Sequence, residues 1–555
     1  MAASTRRTWP TREIPARLRE RYLAEGLWDD RTLGTRVDDA LRAHPMSTVD
    51  IWSDTRRWHG TFSDLHDEAL RLVAGLRSHG VERGDVVAFQ MPNWREAVAA
   101  FYGLALGGYV LVPIVHIYGP REVGFILGQS GARAYLSTDR FGHVDYVELI
   151  DRAAPELAEL QLHVVAPSEP EAVPPRSGAI RRVAWGEITA ASRDESVDVA
   201  RSADPDDVCV VAYTSGTTAD PKGVMHSHRT LGAELEHIVA WMTPDTPNLM
   251  GSPVAHATGM LGAVLGPMTI GQNIHLIDRW DPNRALDVIL EAHIGAGTGA
   301  SVFLASIIDH PDFTPEHAQY LRRIGLGGAP VPVALGERAA AHGIKIIRAY
   351  GSTEHPSVTG SSYEDPAAKR HGTDGRAMTG VEIRLCDEDG HEVGIGIPGE
   401  IWSRGPDLSV GYTDPAMTKR AFDAEGWYRT GDMGVLDADG FVTITDRLND
   451  VIIRGGANIS AAEVEQCLAG LDGVAEVAVV AAPDARLGEH ACALLRLLPG
   501  AHEPDLSAIT TFLETVGLAR SKWPESLRIV VDFPRTASGK IRKVELRQML
   551  RDGRL

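Results

Sequence analysis

The chain is 555 residues long with a formal net charge of −20. That length exceeds what one hydrophobic core organises, so at least two domains are expected, and the acidic balance argues against non-specific binding to nucleic acid or anionic membranes. Cys209, Cys386, Cys467 and Cys492 are widely spread with no CxxC pair, which excludes a dense disulfide framework and reads as free thiols in a reducing compartment.

The opening residues, MAASTRRTWPTREIPARLRERYLAEGLW, have basic side chains but no apolar stretch ending in a small-residue cleavage site, so no secretory signal is expected and the protein is assigned to the cytoplasm. DVVAFQMP, NWREAVAAFYGLALGG and YVLVPIV follow between residues 85 and 115 and predict strand, helix and strand. Residues 97–120 carry no formal charge and are long enough to span a bilayer, but Gly107-Gly108, Pro113 and His116 interrupt them, so a helix followed by a strand is predicted, with no transmembrane segment. Residues 160–205, containing APSEPEAVPPRSG and SRDESVDVARSADPDD, are rich in Pro, Ser and charge and predict a surface connection rather than core. VCVVAY (208–213) is a predicted strand and RTLGAELEHIVAWM (229–242) a predicted helix. Apolar strands without polar alternation are those of parallel sheets covered by helices on both faces.

From about residue 380 the pattern changes to short strands with turn signals, VEIRLCDEDG, GEIWSRGP and GWYRTGDMGVLDADGFVTITDRLND, which predict a small antiparallel subdomain. After Asp450 come a predicted helix at SAAEVEQCLAG, strands at VAEVAVVAAP and HACALLRLL, and a helix at LSAITTFLETVG. The fold class is therefore α/β: a large N-terminal domain, residues 1–448, of parallel-sheet α/β subdomains plus a small β-subdomain, followed by a small α+β C-terminal domain, residues 449–555.

One stretch carries an evident chemistry. In TSGTTADPKG, Thr214 to Gly223, Gly216 and Lys222 have the spacing of a P-loop, but Pro221 stands where the second Gly belongs and Gly223 where Ser or Thr belongs. Read as a loop between a buried strand and a helix, Thr214, Ser215, Gly216, Thr217 and Thr218 offer backbone N–H groups and hydroxyls, and Lys222 a mobile positive charge. That is a polyphosphate cradle of another design, or simply a polar loop.

Together with YGSTEHP (350–356), GWYRTGDMG (426–434), DRLNDVIIRGGANISAAEVE (446–465) and PRTASGKIRK (534–543), the loop resembles, in content and order, the signatures of the adenylate-forming superfamily over about residues 30–550. The resemblance implies attack of a carboxylate on the α-phosphate of ATP, release of pyrophosphate, and transfer of the acyl group from AMP to a thiol. Such an in-line displacement needs positioning and charge neutralisation above all. By the same resemblance Glu354 is the carboxylate associated with Mg²⁺, Thr353 a contact of the α-phosphate, and Tyr350 and the Gly327-Gly328-Ala329-Pro330 loop line the nucleotide. Asp432 holds the ribose hydroxyls and Arg447 touches ribose and phosphate. Lys540 is implied to reach across from a mobile C-terminal domain to the substrate carboxylate and α-phosphate, and Asn449, where Asp or Lys is more usual, takes the hinge position. The domain then rotates to present the Gly455-Gly456 loop to the thiol. Ala219, where Gly is common, is a second departure.

SPVAHATGMLGAVLGPMTIG (252–271) matches the region lining the family's acyl pocket, with His256 as a gate residue beside the carboxylate. Ala257 stands where hydroxybenzoate ligases carry Asn, so an apolar acid, medium or longer fatty or alicyclic, is expected. GIGIPG (394–399) imitates a dinucleotide fingerprint but lacks the strand-then-helix context, and His226 and His228 have no further ligands nearby in sequence, so no zinc is expected. The expectation is an AMP-forming acyl-CoA synthetase using ATP, Mg²⁺ and CoA as co-substrate, with no nucleic-acid partner and with a homodimer left open. The alternatives are a stand-alone ligase that loads a carrier protein, disfavoured because no carrier domain follows Lys540, and a non-catalytic nucleotide-binding relative.

Overall fold

The charge-free stretch lies at the centre of the molecule. In the computed structural model, which describes residues 8–169, 180–192, 203–214, 221–448, 450–454, 457–484, 486, 488–536 and 539–555, Arg95–Gly107 is a helix buried on almost every face and closed by Gly108 in the left-handed region at φ 69°. It shares one core with the helices Leu33–Ala43 and Phe62–Ser78 and with strands of two large sheets. A helix enclosed on all sides has no use for a polar face, which accounts for its composition. The strand Val110–Pro113 follows as predicted. No helix among the described residues is long and apolar enough to cross a membrane.

The first sheet has nine strands. Its centre is parallel, running through Thr48–Trp52, Ile274–Ile277, Asn248–Met250, Ala296–Gly299, Arg323–Gly327 and Lys345–Tyr350. The second sheet has eight and is parallel through Val110–Pro113, Val86–Gln90, Ala134–Thr138, Leu162–Ala166 and Arg181–Ala184. Strands such as Val86–Gln90 and Ala134–Thr138 are buried at every position, as the unbroken apolar runs imply. Part of residues 160–205 corrects the expected surface connection. Leu162–Ala166 is a fully buried strand and Arg181–Ala184 extends the same sheet, because the short apolar runs in this polar stretch are long enough to pair.

The four strands Glu382–Cys386, Gly399–Arg404, Tyr428–Leu436 and Val442–Arg447 form the antiparallel subdomain. GIGIPG is a turn region before the strand Gly399–Arg404. In the C-terminal region Val474–Asp484 and Gly488–Leu497 pair antiparallel, Ser526–Ile529 adds in parallel, and Ala461–Leu468 and Leu506–Thr515 pack on them in a separate core. All four cysteines are unpaired.

One buried ion pair ties the first sheet to the antiparallel subdomain. Arg348 donates to Asp374 Oδ1 from Nε at 3.0 Å and from Nη2 at 2.6 Å. Asp374 Oδ2 accepts from the Ile444 N–H at 2.9 Å, and the Asp374 N–H donates to the Val442 carbonyl at 2.7 Å. Asp374→Ala would leave the buried Arg348 charge without its carboxylate and is expected to destabilise by about 3–5 kcal/mol, read as a lowered urea midpoint. Asp439→Ala, which breaks the exposed pair with Lys369, should cost less than about 1 kcal/mol.

Candidate active site

The strand Lys345–Tyr350 ends in a turn whose shape is forced by close approach. A Cβ on Gly351 would sit 1.9 Å from the Pro356 carbonyl oxygen, so only glycine fits. The Ser352 N–H closes the turn on the His355 carbonyl at 2.9 Å, leaving Thr353 and Glu354 at its tip. Each is held from outside. His226 Nε2 donates to the Thr353 carbonyl at 2.8 Å, the Ser409 N–H donates to the Glu354 carbonyl at 2.8 Å, and the Tyr412 hydroxyl donates to Glu354 Oε1 at 2.8 Å. Burial, then the Glu354 charge, pushes the Tyr412 hydroxyl far up, so it remains a donor.

Asp432 and Arg447 lie opposite one another in the antiparallel pair of Tyr428–Leu436 with Val442–Arg447. Arg447 Nε stands 2.9 Å from Asp432 Oδ1, and the Tyr350 hydroxyl donates to Oδ2 at 2.7 Å. Asp432 is buried, so its charge is held by these two donors, and in return it raises the Arg447 pKa. Burial, reinforced by Asp432, holds the Tyr350 hydroxyl well above its usual range.

Lys540 arrives from the C-terminal region on a small hairpin, one residue from its base. Arg535 and Ile541 bridge its base, the Thr536 N–H donates to the Lys540 carbonyl at 2.8 Å, and Arg535 anchors it to Glu476 at 2.6 Å. The approach to the N-terminal domain is close. A Cβ on Gly539 would be 3.1 Å from Val302 Cγ1, and one on Gly328 would be 3.7 Å from Lys540 Cε. Both glycines sit at positive φ, +83° and +74°, where a side chain would be strained. Removal from water and then Arg447 pull the Lys540 pKa down to about 8, while Asp432 and Glu354 work to raise it. Beside it, burial and then the Lys540 charge push His256 down to about 4. Its Nδ1 accepts from the Thr258 N–H at 3.3 Å, so the ring is neutral and any proton is on Nε2.

One cleft of about 2720 Å³ takes in Thr214, Lys222, His256, Gly328, Ala329 and Pro330, and also Tyr350, Thr353, Glu354, Asp432, Arg447 and Lys540. Residues far apart in the sequence are thus brought to one wall-to-wall space. Ser215, Gly216, Thr217, Thr218 and Ala219, the hinge candidate Asn449, and Gly455-Gly456 lie outside the described residues.

Two expectations need correction. The Thr214–Gly223 loop does not join a strand to a helix. It joins the antiparallel strands Val208–Thr214 and Lys222–Ser227, with Thr214 opposite Lys222, and the helix starts only after the Ser227 N-cap. Residues 223–227 are buried, which favours a second strand over a helix start. In the stretch 252–271 only Ala255, His256 and Ala257 face the cleft, whereas Met260 to Met268 belong to the central core. The Met260–Leu265 turn is π-helical, the form a helix takes where an extra residue is accommodated. Sequence reasoning also missed Tyr412 and Ser409. Of the two histidines considered as metal ligands, His226 supports Thr353, and His228 Nδ1 accepts from the Leu33 N–H at 2.9 Å.

The chain matches the AMP-binding enzyme family over residues 37–413 and the AMP-binding enzyme C-terminal domain over residues 463–540. It is 32% identical over 533 residues to the medium-chain fatty-acid–CoA ligase of Escherichia coli (strain K12), across 96% of this chain and 92% of the relative. It is 35% identical to the 3-[(3aS,4S,7aS)-7a-methyl-1,5-dioxo-octahydro-1H-inden-4-yl]propanoyl:CoA ligase of Rhodococcus jostii (strain RHA1), across 88% and 93%. The crystal structure of ATP-bound MatB from Rhodopseudomonas palustris superposes with a TM-score of 0.81 at 26% identity, over 94% of this chain and 99% of that one.

The environment of Lys540 has a direct readout. Competitive acylation of the free protein across pH 6–11, followed by mass spectrometry, should give a Lys540 midpoint near the value of about 8 set by burial. Asp432→Asn removes a charge that raises this pKa and should move the midpoint lower.

Proposed function

The chain belongs to the AMP-binding enzyme family as an AMP-forming acyl-CoA ligase, and on that premise we propose that it activates an apolar carboxylic acid, medium- or long-chain fatty or alicyclic, as the acyl-adenylate and passes the acyl group to CoA. The observation that carries this reading is the seat of Lys540, beside Gly328 and His256 and under the fields of Asp432 and Glu354. An ammonium there meets negative charge developing as carboxylate oxygen bonds to the α-phosphorus and the pyrophosphate leaves.

The residues divide the task by chemistry. Asp432, an acceptor-only carboxylate already oriented by Tyr350 and Arg447, suits the ribose hydroxyls. The Gly328-Ala329-Pro330 loop, which lines the cleft and bears no side chain at Gly328, suits the flat face of a base. Lys222 and Thr353 line the same cleft and suit the phosphates. Glu354, a hard oxygen donor steadied by Tyr412, fits Mg²⁺, which prefers one or two carboxylates plus phosphate oxygens. The ion supplies neutralisation of phosphate charge when bound. His256, neutral at physiological pH, lies where it can donate from Nε2 to the acid without opposing Lys540. Rotation of residues 449–555 about Asn449 would then exchange Lys540 for the face that admits CoA.

The choice of an apolar acid rests on Ala257, which lines the cleft and offers no side-chain partner to a substrate hydroxyl. It is supported by the medium-chain fatty acid named for the Escherichia coli relative and by the alicyclic skeleton named for the Rhodococcus jostii one. In acid-dependent ATP–pyrophosphate exchange, fatty or alicyclic acids should outperform hydroxybenzoates by about tenfold or more, and preference for the hydroxylated acids would reject the assignment. Product analysis with CoA and with a carrier protein then identifies the acceptor. Lys540→Ala should lower the exchange by about 10²–10³-fold while reaction of a supplied acyl-adenylate with CoA changes little; equal loss of both half-reactions would remove its assigned role.

A further inference from the structure

Behind the Thr353–Glu354 turn lies a set of buried charges that the chemistry above does not use. Asp407 and Glu234 both have fully buried side chains. Asp407 Oδ1 accepts from His355 Nε2 at 3.1 Å and Oδ2 from the Ser357 N–H at 3.4 Å. His355 Nδ1 meets Ser403 Oγ at 2.8 Å. Glu234 Oε1 accepts from Ser357 Oγ at 2.8 Å. Between the two carboxylates sits His237, whose Nε2 donates to the Thr379 carbonyl at 2.8 Å and whose Nδ1 is 3.7 Å from Asp407 and 3.9 Å from Glu234. Burial works against a charge on His237, but Asp407, aided by Glu234, outweighs it and holds the ring up to about 9. Burial and the Asp407 charge drive Glu234 well above the usual carboxylate range. The cluster thus sets the Asp407 carboxylate against the His237 and His355 rings, with Glu234 beside His237.

Asp407 does not touch the cleft, but the segment that carries it does. Residues 405–412 form a strap with three successive grips on the turn: the Asp407 side chain on His355, the Ser409 N–H on the Glu354 carbonyl, and the Tyr412 hydroxyl on the Glu354 carboxylate. Its outer side is fastened too, by Trp28 Nε1 to the Pro406 carbonyl at 2.8 Å, Arg12 Nε to the Ser409 carbonyl at 2.8 Å, and the Val410 N–H to the Met225 carbonyl at 2.8 Å. We propose that Asp407 is a positioning residue for Glu354: its ionised carboxylate, gripping His355 and Ser357, sets the strap so that Ser409 and Tyr412 aim the Glu354 carboxylate into the cleft. An amide in its place would turn an N–H toward donors or lose one of the two grips.

The inference rests on the reading of Glu354 as the Mg²⁺-associated carboxylate, and the test separates the two. Calorimetric titration of the full-length protein with Mg²⁺·ATP, and with AMP in EDTA, reads the metal-dependent and metal-independent parts of the site. Asp407→Asn should weaken Mg²⁺·ATP by about tenfold or more while AMP, whose contacts lie at Asp432 and Gly328, stays within about twofold. Equal weakening of both ligands would mean a merely structural role, and no change in either would mean no role; both overturn the proposal. If the affinity of the wild-type protein for ATP does not depend on Mg²⁺, the Glu354 reading fails and this inference with it, before any variant is made. Should Asp407→Asn not fold, His355→Gln, which keeps a donor near the place of Nε2, and His355→Leu, which does not, carry the same contrast. The leucine variant should lose Mg²⁺·ATP affinity selectively and the glutamine variant recover most of it, while equal behaviour of the two overturns the proposal.

Discussion

The site depends on keeping a lysine chargeable after it has left water. Lys540 comes into the cleft next to Arg447, and both the loss of solvent and the like charge oppose its ammonium; Asp432 and Glu354 work the other way. A buried cation without such partners neutralises. The partners belong to the large domain and the lysine to the small one, so the electrostatic balance exists only while the two are in contact.

The two carboxylates are fixed by different means. Asp432 is placed by strand register, because the pairing that sets it opposite Arg447 leaves it a short reach from Tyr350 at the end of a strand in another sheet. Glu354 is on a turn, which has no register to rely on, and its position is set by a strap fastened to the chain on both sides. A turn can be adjusted by changing the strap without disturbing any sheet, which makes Glu354 the more tunable of the pair.

Much of the architecture could be read from the sequence because the signals were local. The alternation of apolar strands with helices from 85 to 242, the change of texture near 380, and the order of elements after 450 each follow from periodicity within a dozen residues. The five motifs likewise named Lys540, Glu354, Asp432 and Arg447, which the fold gathers into one cleft. What escaped was whatever needs a distant partner. Lys222–Ser227 reads as the lead-in to a helix until its strand partner is known. Leu162–Ala166 is a core strand embedded in polar surroundings. His226 and His228 invite a metal reading, yet each finds a backbone partner far along the chain. The Glu234, His237, His355 and Asp407 cluster comes from three separate segments with no shared pattern, so nothing local could announce it.

The strand Lys222–Ser227 would be an open edge of the eight-stranded sheet but for the two residues Gly411–Tyr412 that pair with it. Those residues are made long after the sheet they cover. While the nascent chain is still emerging from the ribosome, that border remains a template for strand pairing with other molecules, and the late arrival of the same short segment both seals it and delivers the hydroxyl that holds Glu354. Protection of that edge and the anchoring of Glu354 are thus acquired together, once those two residues are made.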